Sequence, residues 1–151
     1  MSEQILTAQQ TADHVRAGML ARDRATQSLG MRITAMGPGT ATLTMTVRAD
    51  MLNGHATCHG GFITALADSA FAFACNSGNE LTVASGLAID FVAPAREGDT
   101  LTASAHEVSH AGRTGVYDAS VHNQHGELIA VFRGRSYRMK GKPAVPQAAS
   151  A

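Results

Sequence analysis

Apolar residues change their spacing along this chain, and each change marks an element. Ala8, Ala12, Val15 and Met19 recur at helical spacing, with Asp13, Arg16 and Arg22 on other faces. Thr7 followed by Gln10 forms a capping box at the start, and Gly30 ends the segment. The period then drops to two. Met31 to Met36 reads as a short strand, and Gly37-Pro38-Gly39 as a turn. Ala41, Leu43, Met45 and Val47 alternate with Thr40, Thr42, Thr44 and Thr46, the clearest strand of the chain. The two strands read as a hairpin.

A glycine-rich loop from Asn53 to Gly61 precedes a second helix, expected from about Gly61 to Cys75. That window is apolar nearly all round, so the helix should be buried on most sides. Four strands are expected after it, at roughly 82–92, 100–110, 115–124 and 127–139. Their short connections at Ala111-Gly112 and His125-Gly126 indicate an antiparallel sheet. The order is helix, two strands, buried helix, four strands. An α+β hotdog fold satisfies it: an antiparallel sheet wrapped around a central helix, with an additional N-terminal helix. One face of such a sheet stays open, which points to a dimer or larger assembly. The expected organisation is a single domain over residues 1–140 and a flexible tail over 141–151, rich in Ala, Ser and Pro.

Charge narrows the partners. Twelve Lys plus Arg balance twelve Asp plus Glu in 151 residues, and charged residues are only 16%. A zero net charge argues against general nucleic-acid binding, which needs a basic footprint. No apolar stretch approaches the roughly 18–20 residues that span a membrane. The first residues lack a signal-peptide pattern, and two cysteines, Cys58 and Cys75, are too few for a disulfide framework. A reduced, cytoplasmic protein is expected.

The charges are unevenly placed. Residues 1–50 carry +1, residues 51–95 carry −3 and residues 96–151 carry +2. Between Met51 and Asn79 the one formally charged residue is Asp68, in the middle of the apolar helix. A carboxylate in apolar surroundings is costly to bury and its pKa tends to rise, which makes it a candidate general base or nucleophile. A capping role, or a partner Arg from another subunit, is the structural alternative. His59-Gly60-Gly61 falls where the helix starts. Unpaired amides there can hold a developing oxyanion, unless the glycines only ease a tight turn. Asn53 could orient a ligand or the loop. His55, Cys58 and His59 form a partial metal set without a convincing fourth ligand, so no metal site is expected. The histidines at 106, 110, 122 and 125 read as surface or packing residues. Arg133, Arg135, Arg138, Lys140 and Lys142 place five cations in ten residues. They read either as a solvated sheet face or, with Arg113, as a phosphate handle on a nucleotide-bearing substrate.

Together, the run Asn53 to Gly61 followed by Ala65-Leu66-Ala67-Asp68-Ser69-Ala70 resembles the PaaI-type hotdog thioesterases of bacterial phenylacetic acid degradation. Ala88-Ile89-Asp90-Phe91, Gly98-Asp99-Thr100-Leu101, Thr114 to Asp118 and Phe132-Arg133-Gly134 fit the same pattern, over about residues 10–140. The resemblance implies hydrolysis of acyl-CoA thioesters, with (hydroxy)phenylacetyl-CoA favoured, no metal or dissociable cofactor, and water as second substrate. It implies Asp68 as the catalytic carboxylate and Gly60 as the oxyanion position. His59 and Asn53 would orient the thioester and support the loop. Ser85 would fall near the position where some relatives place a water-orienting hydroxyl. Gly61 is expected at the substrate, and from the cation cluster Arg113, Arg133 and Arg135 are expected toward CoA. Family sites lie at a homodimer interface, and dimers often pair into homotetramers. A hotdog acyl-CoA hydratase or dehydratase using His59, and a non-catalytic acyl-CoA binding module, are the alternatives.

Overall fold

The computed structural model describes residues 5–146. Helix α1 spans Ala8–Arg22 and α2 spans Arg24–Ser28. Strands β1 (Arg32–Gly37) and β2 (Thr40–Thr46) form the expected hairpin. After a short 3-10 turn at Ala49–Met51 comes α3 (Gly60–Asn76). Strands β3 (Thr82–Phe91), β4 (Thr100–Ala111), β5 (Thr114–His122) and β6 (Leu128–Arg138) follow.

All six strands join one antiparallel sheet in the order β1-β2-β4-β5-β6-β3. Helix α3 lies across it and carries Ile63, Leu66, Ala67, Ala70, Phe71 and Phe73 into the core. This is the hotdog arrangement. Ala and Leu favour the helix, and its interior holds no Gly or Pro. Phe71 anchors the packing, stacked at tilted angles 5.5 Å from Tyr117 and 5.8 Å from Phe132. Burying a side chain of this size stabilises the fold by about 1.5–3 kcal/mol. Gly134 on β6 lies directly beneath it; a Cβ there would stand 2.9 Å from the Phe71 ring. Among the described residues no helix is long and apolar enough to cross a membrane.

The capping box forms as read: the Gln10 amide donates to Thr7 Oγ1, and the Thr7 amide donates to Gln10 Oε1. The first helical segment does not run unbroken to Gly30. Asp23 interrupts it, because its carboxylate accepts from the Thr26 amide and hydroxyl and so starts a new helix. The tail expectation also changes. Residues 141–146 are held against the body, with Val145 buried and its backbone paired both ways with the Asn79 side chain. Residues 147–151 of that tail lie outside the described residues.

Candidate active site

The loop before α3 is built around Asn53. Its Oδ1 accepts from the amides of His55 (2.9 Å) and Thr57 (3.3 Å), and its backbone amide donates to Thr57 O (2.8 Å). Ala56 turns the loop in a left-handed conformation, φ 59°. Asn53 therefore organises the loop with its own oxygen, the second of the two roles open to it. The exit is fixed by two further bonds, from the His59 amide to Met51 O and from the Cys58 amide to Ala95 O.

His59 is the N-cap of α3. Its Nδ1 accepts from the Gly61 amide at 2.9 Å, which assigns the proton of a neutral ring to Nε2. The Gly61 amide is thereby engaged within the chain. The Gly60 amide donates to no acceptor among the described residues. It opens a 17-residue helix, where the dipole is positive and the first amides lack intrahelical partners. A cavity of about 430 Å³ reaches it, lined by Asn53, Thr57, Ile63, Phe91 and Pro94 among others. The Phe91 ring leaves no room for a side chain at Gly60: a Cβ would stand 2.8 Å from it.

Asp68 lies in a different cavity, of about 340 Å³. The carboxylate is partly buried, with neither a hydrogen-bond donor nor a salt-bridge partner among the described residues. Burial alone pushes its pKa above the usual carboxylate value. The capping alternative therefore fails within one chain. Around Asp68 stand Met19, Phe71, Ala72, Cys75 and Ala84, with Ala144 from the C-terminal segment. Burial raises the Cys75 thiol to about 12, so it stays protonated and packs as an apolar group.

The two groups are eight residues apart on one helix, about 12 Å at 1.5 Å per residue. A single chain does not bring them to one reacting atom.

The remaining candidates are scattered. Ser85 occupies a bulge in β3, exposed, and its hydroxyl donates to Arg135 O (3.2 Å), outside the Asp68 cavity. Arg133 is held by Asp118 through two bonds, 2.6 and 2.8 Å, on the outward side of the sheet. That pair keeps the Asp118 carboxyl below its usual range and removes Arg133 from the freely available cations. Arg138 faces Glu80 at 3.5 Å. Arg135 has no carboxylate partner among the described residues and lies across Gly86, and Arg113 donates to the Tyr137 hydroxyl (3.3 Å). Among the described residues no three His, Cys, Asp or Glu side chains gather as metal ligands. The sequence reading missed Phe91, Met19 and Ala144, which reach the two cavities from distant parts of the chain. Long-range contacts of this kind leave no spacing signal.

A six-stranded sheet around one helix, with a free amide at the helix start and a lone acid within it, defines a class that comparison makes explicit. The thioesterase superfamily profile matches residues 55–130. The acyl-coenzyme A thioesterase PaaI of Escherichia coli is 51% identical over 124 residues, 82% of this chain and 88% of that protein. The solved structure of E. coli PaaI, from the phenylacetic acid degradation operon, superposes with a TM-score of 0.88 at 45% identity, over 90% of this chain and 99% of that one. A point mutant of the phenylacetic acid degradation protein PaaI of Thermus thermophilus gives 0.75 at 39% identity, over 78% and 100%. The chain belongs to the thioesterase superfamily, among its PaaI-type acyl-CoA thioesterases.

Proposed function

We propose that this protein hydrolyses aryl-acyl-CoA thioesters, phenylacetyl-CoA and its hydroxylated derivatives among them, to the free acid and CoA in phenylacetate catabolism. The catalytic unit is a homodimer, assembled further into a homotetramer. The observation that carries this reading is the separation of two groups with no hydrogen-bond partner among the described residues, the Gly60 amide and the Asp68 carboxylate, in different cavities along one helix. Two antiparallel copies of α3 bring the Gly60 amide of one protomer to the Asp68 carboxylate of its partner. The bare edge strand β3 supports such pairing: Val83, Leu87 and Phe91 are exposed on it.

In this site the Gly60 amide donates to the thioester carbonyl oxygen and stabilises it as charge develops. His59 and Asn53 hold the loop that aims this amide. Asp68, ionised, takes a proton from water as the water oxygen bonds to the carbonyl carbon. The tetrahedral intermediate then expels the CoA thiolate by breaking the C–S bond, and the thiolate takes up the proton. Attack by Asp68 itself, through an anhydride that water then opens, balances equally and uses the same geometry. Arg135 and Arg113 lie toward the CoA phosphates. Cys58 and Cys75 are free, which fits a cytoplasmic enzyme.

A mixing experiment tests the shared site. Asp68→Ala and Gly60→Val are each inactive in thiol release from phenylacetyl-CoA. Co-refolded in equal amounts, half of the dimers are mixed and each holds one intact site, so activity returns to about a quarter of the native value. Recovery at the level of the separate variants overturns the shared site. Hydration of an enoyl-CoA without thiol release overturns the thioesterase reading itself.

A further inference from the structure

The Asp68 cavity has one wall from an unexpected source. Met19, from the last turn of α1, and Ala144, from the C-terminal segment, line it together with Phe71 and Ala84. This wall is built, not accidental. The Asn79 side chain clamps the segment, its amide nitrogen donating to Val145 O at 3.1 Å and its oxygen accepting from the Val145 amide at 2.8 Å. Arg22 Nη2 donates to Ala144 O at 3.0 Å. The Val145 side chain fills the space over Gly18, where a Cβ would stand 2.2 Å from it. Glycine at position 18 is thus what lets the segment lie flat on α1. Asn79 itself adopts a left-handed conformation, φ 59°, which aims its side chain at the segment.

The cavity's chemistry suits an apolar group. Apart from Asp68 its polar side chains are Asn76 and Thr82, and both are internally satisfied. Asn76 Nδ2 donates to Ala72 O and Thr82 O, its oxygen accepts from the Thr82 amide, and the Thr82 hydroxyl donates to Glu80 O. A ligand entering beside Asp68 meets one reactive carboxylate and otherwise hydrocarbon and sulfur. The Gly60 cavity differs, with Asn53 and Thr57 facing it. At about 340 Å³ the Asp68 cavity is near the small end of small-molecule sites, which run from about 300 to 1,000 Å³.

We infer that the wall formed by Met19 and Ala144, docked by Asn79 and Gly18, closes the acyl pocket and sets the length of acyl group this enzyme accepts. The inference rests on Asp68 being the reacting carboxylate. Met19 is the specificity-determining residue; Asn79 is a positioning residue that acts by holding the segment.

The test compares kcat/KM for acetyl-, phenylacetyl- and decanoyl-CoA. Met19→Trp fills the pocket. It lowers the phenylacetyl-CoA value at least about tenfold more than the acetyl-CoA value, since even one methylene in an apolar pocket is worth roughly 10–200-fold. Asn79→Ala releases the segment and raises the decanoyl-to-phenylacetyl ratio about fivefold or more. Equal loss on all three esters, or no change of ratio in either variant, overturns the wall. If the native protein releases thiol from none of the three, the functional reading fails separately. The pocket is then decided by methyl NMR of ¹³C-labelled methionine, titrated with phenylacetamide, a neutral probe that Asp68 does not repel. A saturating shift at Met19, absent at the core residue Met51, supports the pocket; an unmoved Met19 signal overturns it.

Discussion

The start of α3 and its middle treat their polar groups in opposite ways. At the start nearly everything is satisfied. The Asn53 oxygen closes the loop, His59 caps Gly61, and the Thr64 hydroxyl donates to Gly60 O at 2.8 Å. The Gly60 amide is left without an acceptor among the described residues, and the surrounding bonds hold it in place. In the middle, Asp68 has no donor among the described residues and lies in partly buried surroundings. The first end holds its groups in place by bonds that also stabilise the fold. The second holds a group that works against stability, because its charged form is poorly solvated. Catalytic and structural roles therefore predict effects of different sign at the two ends.

Asp68→Asn is the strongest test. It keeps the shape and removes the base, and kcat should fall by roughly 10²–10⁴, the usual worth of a positioned acid or base. Stability should move the other way. Burial raises the folded carboxyl's pKa above its unfolded value, so the folded state binds the proton more tightly. That contribution is present below the unfolded pKa and is lost as pH rises through the folded one. At pH 7 the native charge is therefore a liability, and Asp68→Asn should melt at the same temperature or higher. Its advantage should shrink on acidification. The native kcat/KM should fall in acid with a midpoint above about 3.9, the ordinary aspartate value. A variant that loses both turnover and melting temperature would make Asp68 a structural residue and erase the contrast.

His59→Ala probes the other end, with a smaller effect. Losing an N-cap costs about 1 kcal/mol, and for a chain of this size that lowers Tm by about 2–4 °C. The Gly60 amide then loses its support, and kcat/KM should fall by about ten- to a hundredfold, as small misplacements near a reacting centre do. Here activity and stability fall together. Calorimetry beside a thiol-release assay distinguishes the outcomes; lost activity at unchanged Tm would make His59 a reacting group and not a cap.

The same contrast explains what the sequence could reveal. Asp68 was visible because a lone acid interrupts an apolar helix, and the His59-Gly60-Gly61 start because glycines stand where the apolar helical run begins; the His59 cap itself was not read from it. The order of elements along the chain followed from the changes in hydrophobic spacing, and the capping box at Thr7 from a three-residue spacing, whereas the order of strands in the sheet was not read from it. What stayed hidden depends on distant partners. Asp118 and Arg133 meet because β5 and β6 pair in that register, which turns one member of an apparent cation cluster into half of an ion pair. Phe91 reaches Gly60 and Val145 reaches Gly18 across gaps that no local pattern marks. The segment at 141–146 looked loose because it opens a stretch rich in Ala, Ser and Pro, yet Asn79 holds its backbone. The break at Asp23 was local and still missed, since a capping aspartate inside a helical period resembles any exposed acid.

Arg135 offers the finest comparison, between the two α3 groups and a residue that reaches neither. It is exposed, carries no carboxylate partner among the described residues, and lies flat across β3 where Gly86 leaves room. If it meets a CoA phosphate, Arg135→Glu should raise KM for phenylacetyl-CoA roughly three- to tenfold while kcat stays within about twofold, as expected for binding uniform between ground and transition state. The difference should shrink as salt is raised, because an exposed contact is screened over about 8–10 Å at ordinary ionic strength. Arg133→Glu is a poorer probe. It sets a second acid against Asp118 and disturbs the sheet, so a change in KM there would mix folding with binding. An unchanged KM in Arg135→Glu across the salt series would leave Arg113 as the remaining candidate handle, and would mean that the outward cations of β6 serve the sheet and not the substrate.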